Sequence, residues 1–73
     1  MQLHVLNKLA SLSKRDRGLV RKFLADGKLR AKVIKEMQAR GIGQGILPDD
    51  LDEWLALIVK WLPVFIEIIL KFI

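Results

Sequence analysis

Two hydrophobic regimes follow one another along the chain. Over the first forty residues, apolar positions recur three and four apart with charged residues between them. Leu3, Val5, Leu6, Leu9 and Leu12 lie at roughly helical spacing. Leu19, Val20, Phe23 and Leu24 mark one face of a second segment, with Lys14, Arg17, Arg21 and Lys22 mostly on the other. Leu29, Val33, Ile34 and Met37 do the same in a third segment, opposed by Lys28, Lys32 and Lys35. A period near 3.6 with a polar opposite face predicts amphipathic helices. Arg30 falls on the apolar side and would have to snorkel. There is no strand-period alternation, internal repeat or low-complexity tract.

The stops and starts agree with this division. Ser13 followed by Asp16 resembles a capping box, with Asp in place of the preferred Glu. Ala25-Asp26-Gly27 reads as a break, Gly27 being able to take the left-handed conformation that ends a helix. Gly41 ends the third segment, and Gly41, Gly43 and Gly45 make residues 41–45 a flexible joint.

The second regime is continuous. The last 20 residues, from Trp54 on, hold 16 apolar residues and Pro63, with only Lys60, Glu67 and Lys71 charged. Pro48 suits an early turn, and Asp50 with Glu53 supplies a D-x-x-E cap. Asp49, Asp50, Asp52 and Glu53 would sit at the positive end of that helix's dipole. One helix over residues 51–73 would be roughly 35 Å long, slightly more than the ~30 Å hydrocarbon core of a bilayer. Pro63 would kink such a helix in water and be better tolerated in a membrane. The expected architecture is therefore all-α. Two or three short basic amphipathic helices occupy residues 1–40, a Gly-rich hinge residues 41–48, and one long hydrophobic helix residues 49–73.

The charges within the tail need a reason. Glu53, Lys60 and Glu67 recur at seven-residue intervals and share a stripe, and Lys71 follows Glu67 at i+4, the favourable order for an ion pair. A central Lys costs ~3 kcal/mol on an insertion scale, while each large aliphatic residue gains ~0.5. About a dozen such residues offset the charges narrowly, so the helix could span if its stripe faced another helix or a partner. A core helix wrapped by the basic segments is the alternative.

Charge sharpens the contrast between the two parts. The 73 residues carry a formal net charge of +5, distributed as eleven cations against three acids in residues 1–47 and two against five in residues 48–73. The mean hydropathy of +0.28 is high for a chain with 29% charged residues, because the apolar content is concentrated in the tail. With no Cys there is no disulfide and no thiolate metal site. A core of this size ordinarily needs such help or a partner.

Candidate chemistry is sparse. His4 has no nearby acid to work with, Ser11 and Ser13 have no His in the same element, and no catalytic constellation emerges. The acids at 49–53 lack the ligand spacing of a Ca²⁺ loop and read as helix capping. The G-x-G-x-G at 41–45 lacks the dinucleotide-binding spacing. No enzyme activity, cofactor or metal is expected. Trp54, just inside the acidic cap, fits an interfacial anchor, whereas Trp61 fits packing.

The candidate partner-binding residues are Lys14, Arg17, Arg21, Lys22, Lys28, Lys32 and Lys35. Anionic lipid would attract them by about 1 kcal/mol each, and nucleic acid by counterion release. Phe23, the one aromatic in this part, lies on an apolar face, so bases have no stacking platform and any nucleic-acid binding would be non-specific. The stripe Glu53, Lys60, Glu67 and Lys71 is expected to serve helix assembly, with protein partners or other copies of the chain. Residues 1–12 are too polar for a signal peptide, so the basic arm is expected on the cytoplasmic side, or inside a virion.

In composition, the plan is similar to that of leaderless bacteriocins: basic amphipathic helices, tryptophans, no Cys, and a glycine joint before a Trp-bearing helix, here Gly41 to Trp54. The acid cluster and Glu67 depart from it. Small phage lysis proteins and minor membrane proteins of lipid-containing phages share the plan, and no motif matches residue by residue. The leading expectation is a small membrane-associated structural subunit, anchored by its C-terminal helix. A membrane-permeabilising protein and a soluble oligomeric basic module are the alternatives.

Overall fold

A computed structural model describes residues 3–73. It contains five helices and no strands among those residues: α1 (Leu3–Ser11), α2 (Lys14–Ala25), α3 (Gly27–Ala39), α4 (Leu51–Lys60) and α5 (Leu62–Phe72). The all-α expectation stands. The single long C-terminal helix does not: the tail is two helices, and among the described residues no helix is long and apolar enough to cross a membrane.

The division comes from Pro63. Its ring would collide with the carbonyl of Val59 four residues back, and it has no N–H to donate there. Trp61 leaves the helical region, with φ −110° and ψ 33°. The chain restarts at Leu62 with Pro63 in the first turn of α5, where a missing N–H costs nothing. At the standard rise α4 and α5 are each roughly 15 Å long. Hydropathy alone reads across such a break, because both sides are equally apolar.

The other helix ends follow local chemistry. The Ser13 side chain accepts from the Asp16 amide at 3.2 Å and starts α2. Asp26 serves two helices: its N–H donates to the Lys22 carbonyl at the end of α2, and its Oδ1 accepts from the amides of Lys28 and Leu29 at 3.0 and 3.1 Å. That arrangement needs no left-handed residue, so Gly27 opens α3 instead of closing α2. Arg30 donates from its guanidinium to the Leu24 carbonyl at 2.7 Å, which gives its half-buried head a partner. Asp50 starts α4 by accepting from the Glu53 amide at 3.3 Å.

Helix α3 ends in a Schellman turn. Gly41, at φ +81°, donates to Gln38, and Ile42 donates to Met37. Ile42 and Met37 are both buried, as this turn's hydrophobic contact requires. The segment expected as a flexible joint then lies down on the core at Gly43. A Cβ there would sit 2.7 Å from the Trp54 ring and 2.9 Å from Leu57.

One core joins all five helices. Helix α3 packs on α2 and α5, α1 on α4, and α5 also on α2 and α4. Phe23 from α2 and Phe65 from α5 meet edge to face, with ring centroids 5.5 Å apart. Trp54, Met37, Ile58, Ile68 and Ile69 are fully buried around them. The radius of gyration, 11.2 Å, matches the roughly 11 Å of a folded chain of this length. The apolar arc of the tail is thus covered in large part by the amphipathic faces of the arm, with Trp61, Leu70 and Ile73 left exposed.

Candidate anionic-surface interface

Packing the apolar faces inward leaves the cations outside. Lys14, Arg17, Arg21 and Lys22 on α2 and Lys28, Lys32 and Lys35 on α3 are all exposed, and none forms an ion pair among the described residues. Ion pairs form elsewhere: Arg15 with Asp16, Arg40 with Glu36, and Lys71 with Glu36. These seven cations therefore have no ion-pair partner among the described residues.

Helix α5 gives this face a centre. Phe72, in its last turn, lines two clefts together with lysines from α2 and α3. On one side a cleft of about 370 Å³ is lined by Lys22, Lys28, Lys32 and Leu29, with Phe72 and Ile73. On the other side a cleft of about 220 Å³ is lined by Lys32, Lys35 and Ala39, again with Phe72. The two share Lys32 and Phe72. Ile73 is 56% exposed and Phe72 half-buried, so apolar side chains stand among the cations.

Each cleft also carries one carboxylate. Asp26, at the rim of the larger cleft, caps α3. Glu36, at the smaller one, accepts from Arg40 Nε at 3.1 Å and from Lys71 Nζ at 3.4 Å. The Arg40 hydrogen bond, followed by that of Lys71, holds the Glu36 carboxyl below its ordinary pKa. Lys71 also lies 5.6 Å from the centroid of the Phe72 ring, a cation–π distance. A third depression, about 300 Å³, runs between α1 and α2, with Leu9, Val20 and Leu24 as its floor and Arg17 and Arg21 at its edge.

The remaining sequence-based candidates are placed differently. Glu53, Lys60, Glu67 and Lys71 are all exposed, but the break at Trp61 puts two on α4 and two on α5, so they form no continuous stripe. Lys71 reaches across to Glu36 on α3 and not to Glu67. Trp54, expected at an interface, is fully buried, and its indole N–H donates to the Leu47 carbonyl at 3.0 Å. Trp61, expected to pack, is 40% exposed at the bend. Sequence reasoning missed Phe72 and Ile73 as part of the basic face. No periodicity within one helix signals them, because their place depends on α5 docking against α2 and α3.

No group of three or more His, Asp and Glu side chains that could hold a metal occurs among the described residues. Comparison with protein-family models, curated proteins and solved structures returns no match.

Proposed function

We propose that the protein is a small, non-enzymatic, membrane-associated subunit that adsorbs to anionic lipid through its α2–α3 face. The observation that carries this reading is the apolar side chains of Phe72 and Ile73 lining clefts in which four lysines outnumber two carboxylates. A bilayer surface offers both complements at once: phosphates for the cations and an apolar layer just beneath them. A nucleic-acid backbone offers only the first. At about 1 kcal/mol per cation near the surface, four to seven contacts give ~4–7 kcal/mol, enough for reversible adsorption and too little for permanent anchoring. The cytoplasmic leaflet, rich in anionic lipid, is the surface this favours. Lateral assembly with other copies or with a larger partner would build on that adsorbed state.

The apolar content of α4 and α5 favours one second reading, membrane permeabilisation, in which the core opens on the surface and delivers residues 54–73 to the bilayer. A single experiment treats both. Co-sedimentation with vesicles should require anionic lipid and weaken steeply with salt. Replacing Arg21, Lys28, Lys32 and Lys35 together by Gln should abolish it without loss of helicity. Release of an entrapped dye at the same protein concentrations would support permeabilisation. Tighter binding to duplex DNA than to anionic vesicles, or equal binding to uncharged vesicles, would overturn the lipid reading.

A further inference from the structure

We infer that the paired clefts flanking Phe72 form a site for an anionic lipid whose headgroup carries two phosphodiesters joined by a short linker. The inference rests on the lipid reading above and narrows it to a class of lipid. Three features of the face lead there. The lysines fall into two clefts that share Lys32 and Phe72, with Lys22 and Lys28 lining the larger and Lys35 the smaller. Lys28 and Lys35 are two helical turns apart on α3, about 10 Å along its axis. Each cleft also carries one carboxylate, outnumbered by its lysines: Asp26, which caps α3, in the larger, and Glu36, which is paired with Arg40 and Lys71, in the smaller.

A headgroup with one phosphate fills one cleft and leaves the lysines of the other facing water. Two phosphates in a direct anhydride are too close together to straddle the Phe72 ring. Two phosphates separated by a short carbon linker can each enter a cleft, with Lys32 between them and the linker over the ring. The acyl chains then leave past Phe72, Ile73 and Leu29, the apolar part of the lining. Both halves of such a lipid meet the surface that suits them.

The test compares vesicles of equal surface charge, so that generic attraction is the same in each. One set carries cardiolipin, with two phosphodiesters per molecule. The other carries twice the molar amount of phosphatidylglycerol, with one. The protein should bind the first about tenfold more tightly, the gain expected from one or two additional lysine–phosphate contacts. Lys28→Gln and Lys35→Gln, in opposite clefts, should each remove most of that preference. Lys14→Gln, outside both clefts, should weaken binding to the two vesicle types equally and keep the preference. Circular dichroism of each variant confirms that the fold is retained. Equal binding to the two vesicle types by the unaltered protein would overturn the two-phosphate site and leave the lipid reading standing. Binding to neither would overturn both.

Discussion

Replacing Gly43 by Ala tests whether the 41–50 loop is fitted to the core or merely connects helices. Two costs combine at this position. The backbone sits at φ +76°, where a residue with a Cβ loses roughly 1–2 kcal/mol. The added methyl would also lie 2.7 and 2.8 Å from two carbons of the Trp54 ring and 2.9 Å from Leu57. Trp54 cannot retreat easily, because it is fully buried and its indole is tied to the Leu47 carbonyl. Overpacking of this kind typically costs 1–3 kcal/mol, so the expected destabilisation is about 2–5 kcal/mol. A chain of this length has roughly 4–11 kcal/mol of stability in total, so the loss is a large fraction of it. Gly41→Ala is the control. It has the same sign of φ and nothing within 4 Å of an added Cβ, so only the backbone cost of ~1–2 kcal/mol applies. With a urea dependence of about 1 kcal/mol/M, the midpoint of Gly43→Ala should fall 1–3 M below that of Gly41→Ala, read by circular dichroism at the helical band. Coincident midpoints would refute the seating of this loop on Trp54.

Three other outcomes follow from the packing and the ion pairs. Trp54→Ala should cost about 3–5 kcal/mol, whereas Trp61→Ala should stay under ~1 kcal/mol because its ring is partly in solvent; equal losses in urea denaturation would contradict the burial described here. Pro63→Ala removes the ring that crowds the Val59 carbonyl, so Trp61 should gain helical Cα chemical shifts in detergent micelles; unchanged non-helical shifts would assign the break to tertiary packing alone. The Glu36 carboxyl is held below its ordinary value of 4.5 by Arg40 and Lys71, so its contribution is present above that pH and is lost as the pH falls through the folded value. The stability difference between the parent and Glu36→Gln should therefore shrink below about pH 4.5, and a difference that grows on acidification would reverse the assignment.

What the sequence disclosed depended on how local each determinant is. The caps at Ser13 and Asp50 and the stop at Gly41 are written within four or five residues, and each was readable. The amphipathic faces of α2 and α3 were readable for the same reason: the periodicity of Leu19, Val20 and Phe23 and of Leu29, Val33 and Met37 matches their burial. Asp26 was harder, because one residue whose N–H closes α2 and whose side chain opens α3 leaves no gap in the chain for a glycine to fill. The break at Trp61 had its signal in Pro63, but a hydropathy profile weighs composition and not backbone continuity. The site around Phe72 was out of reach in principle. It joins Lys22, Lys32 and Phe72 from three helices, and their meeting is a product of the tertiary fold.

The opposite surroundings of the two tryptophans give the molecule a built-in optical readout. Trp54 is sealed in the core, and Trp61 stands at the bend with 40% of its surface open. With no Tyr in the chain, ultraviolet emission comes almost wholly from these two indoles. A soluble quencher such as acrylamide or iodide should reach Trp61 and spare Trp54, dividing the emission into a surface part and an interior part. A spectrum that shifts while the interior part stays shielded reports an event at the bend with the core intact. One in which both parts become accessible reports that the five helices have come apart. The unlabelled protein can in this way distinguish docking from opening in a single cuvette.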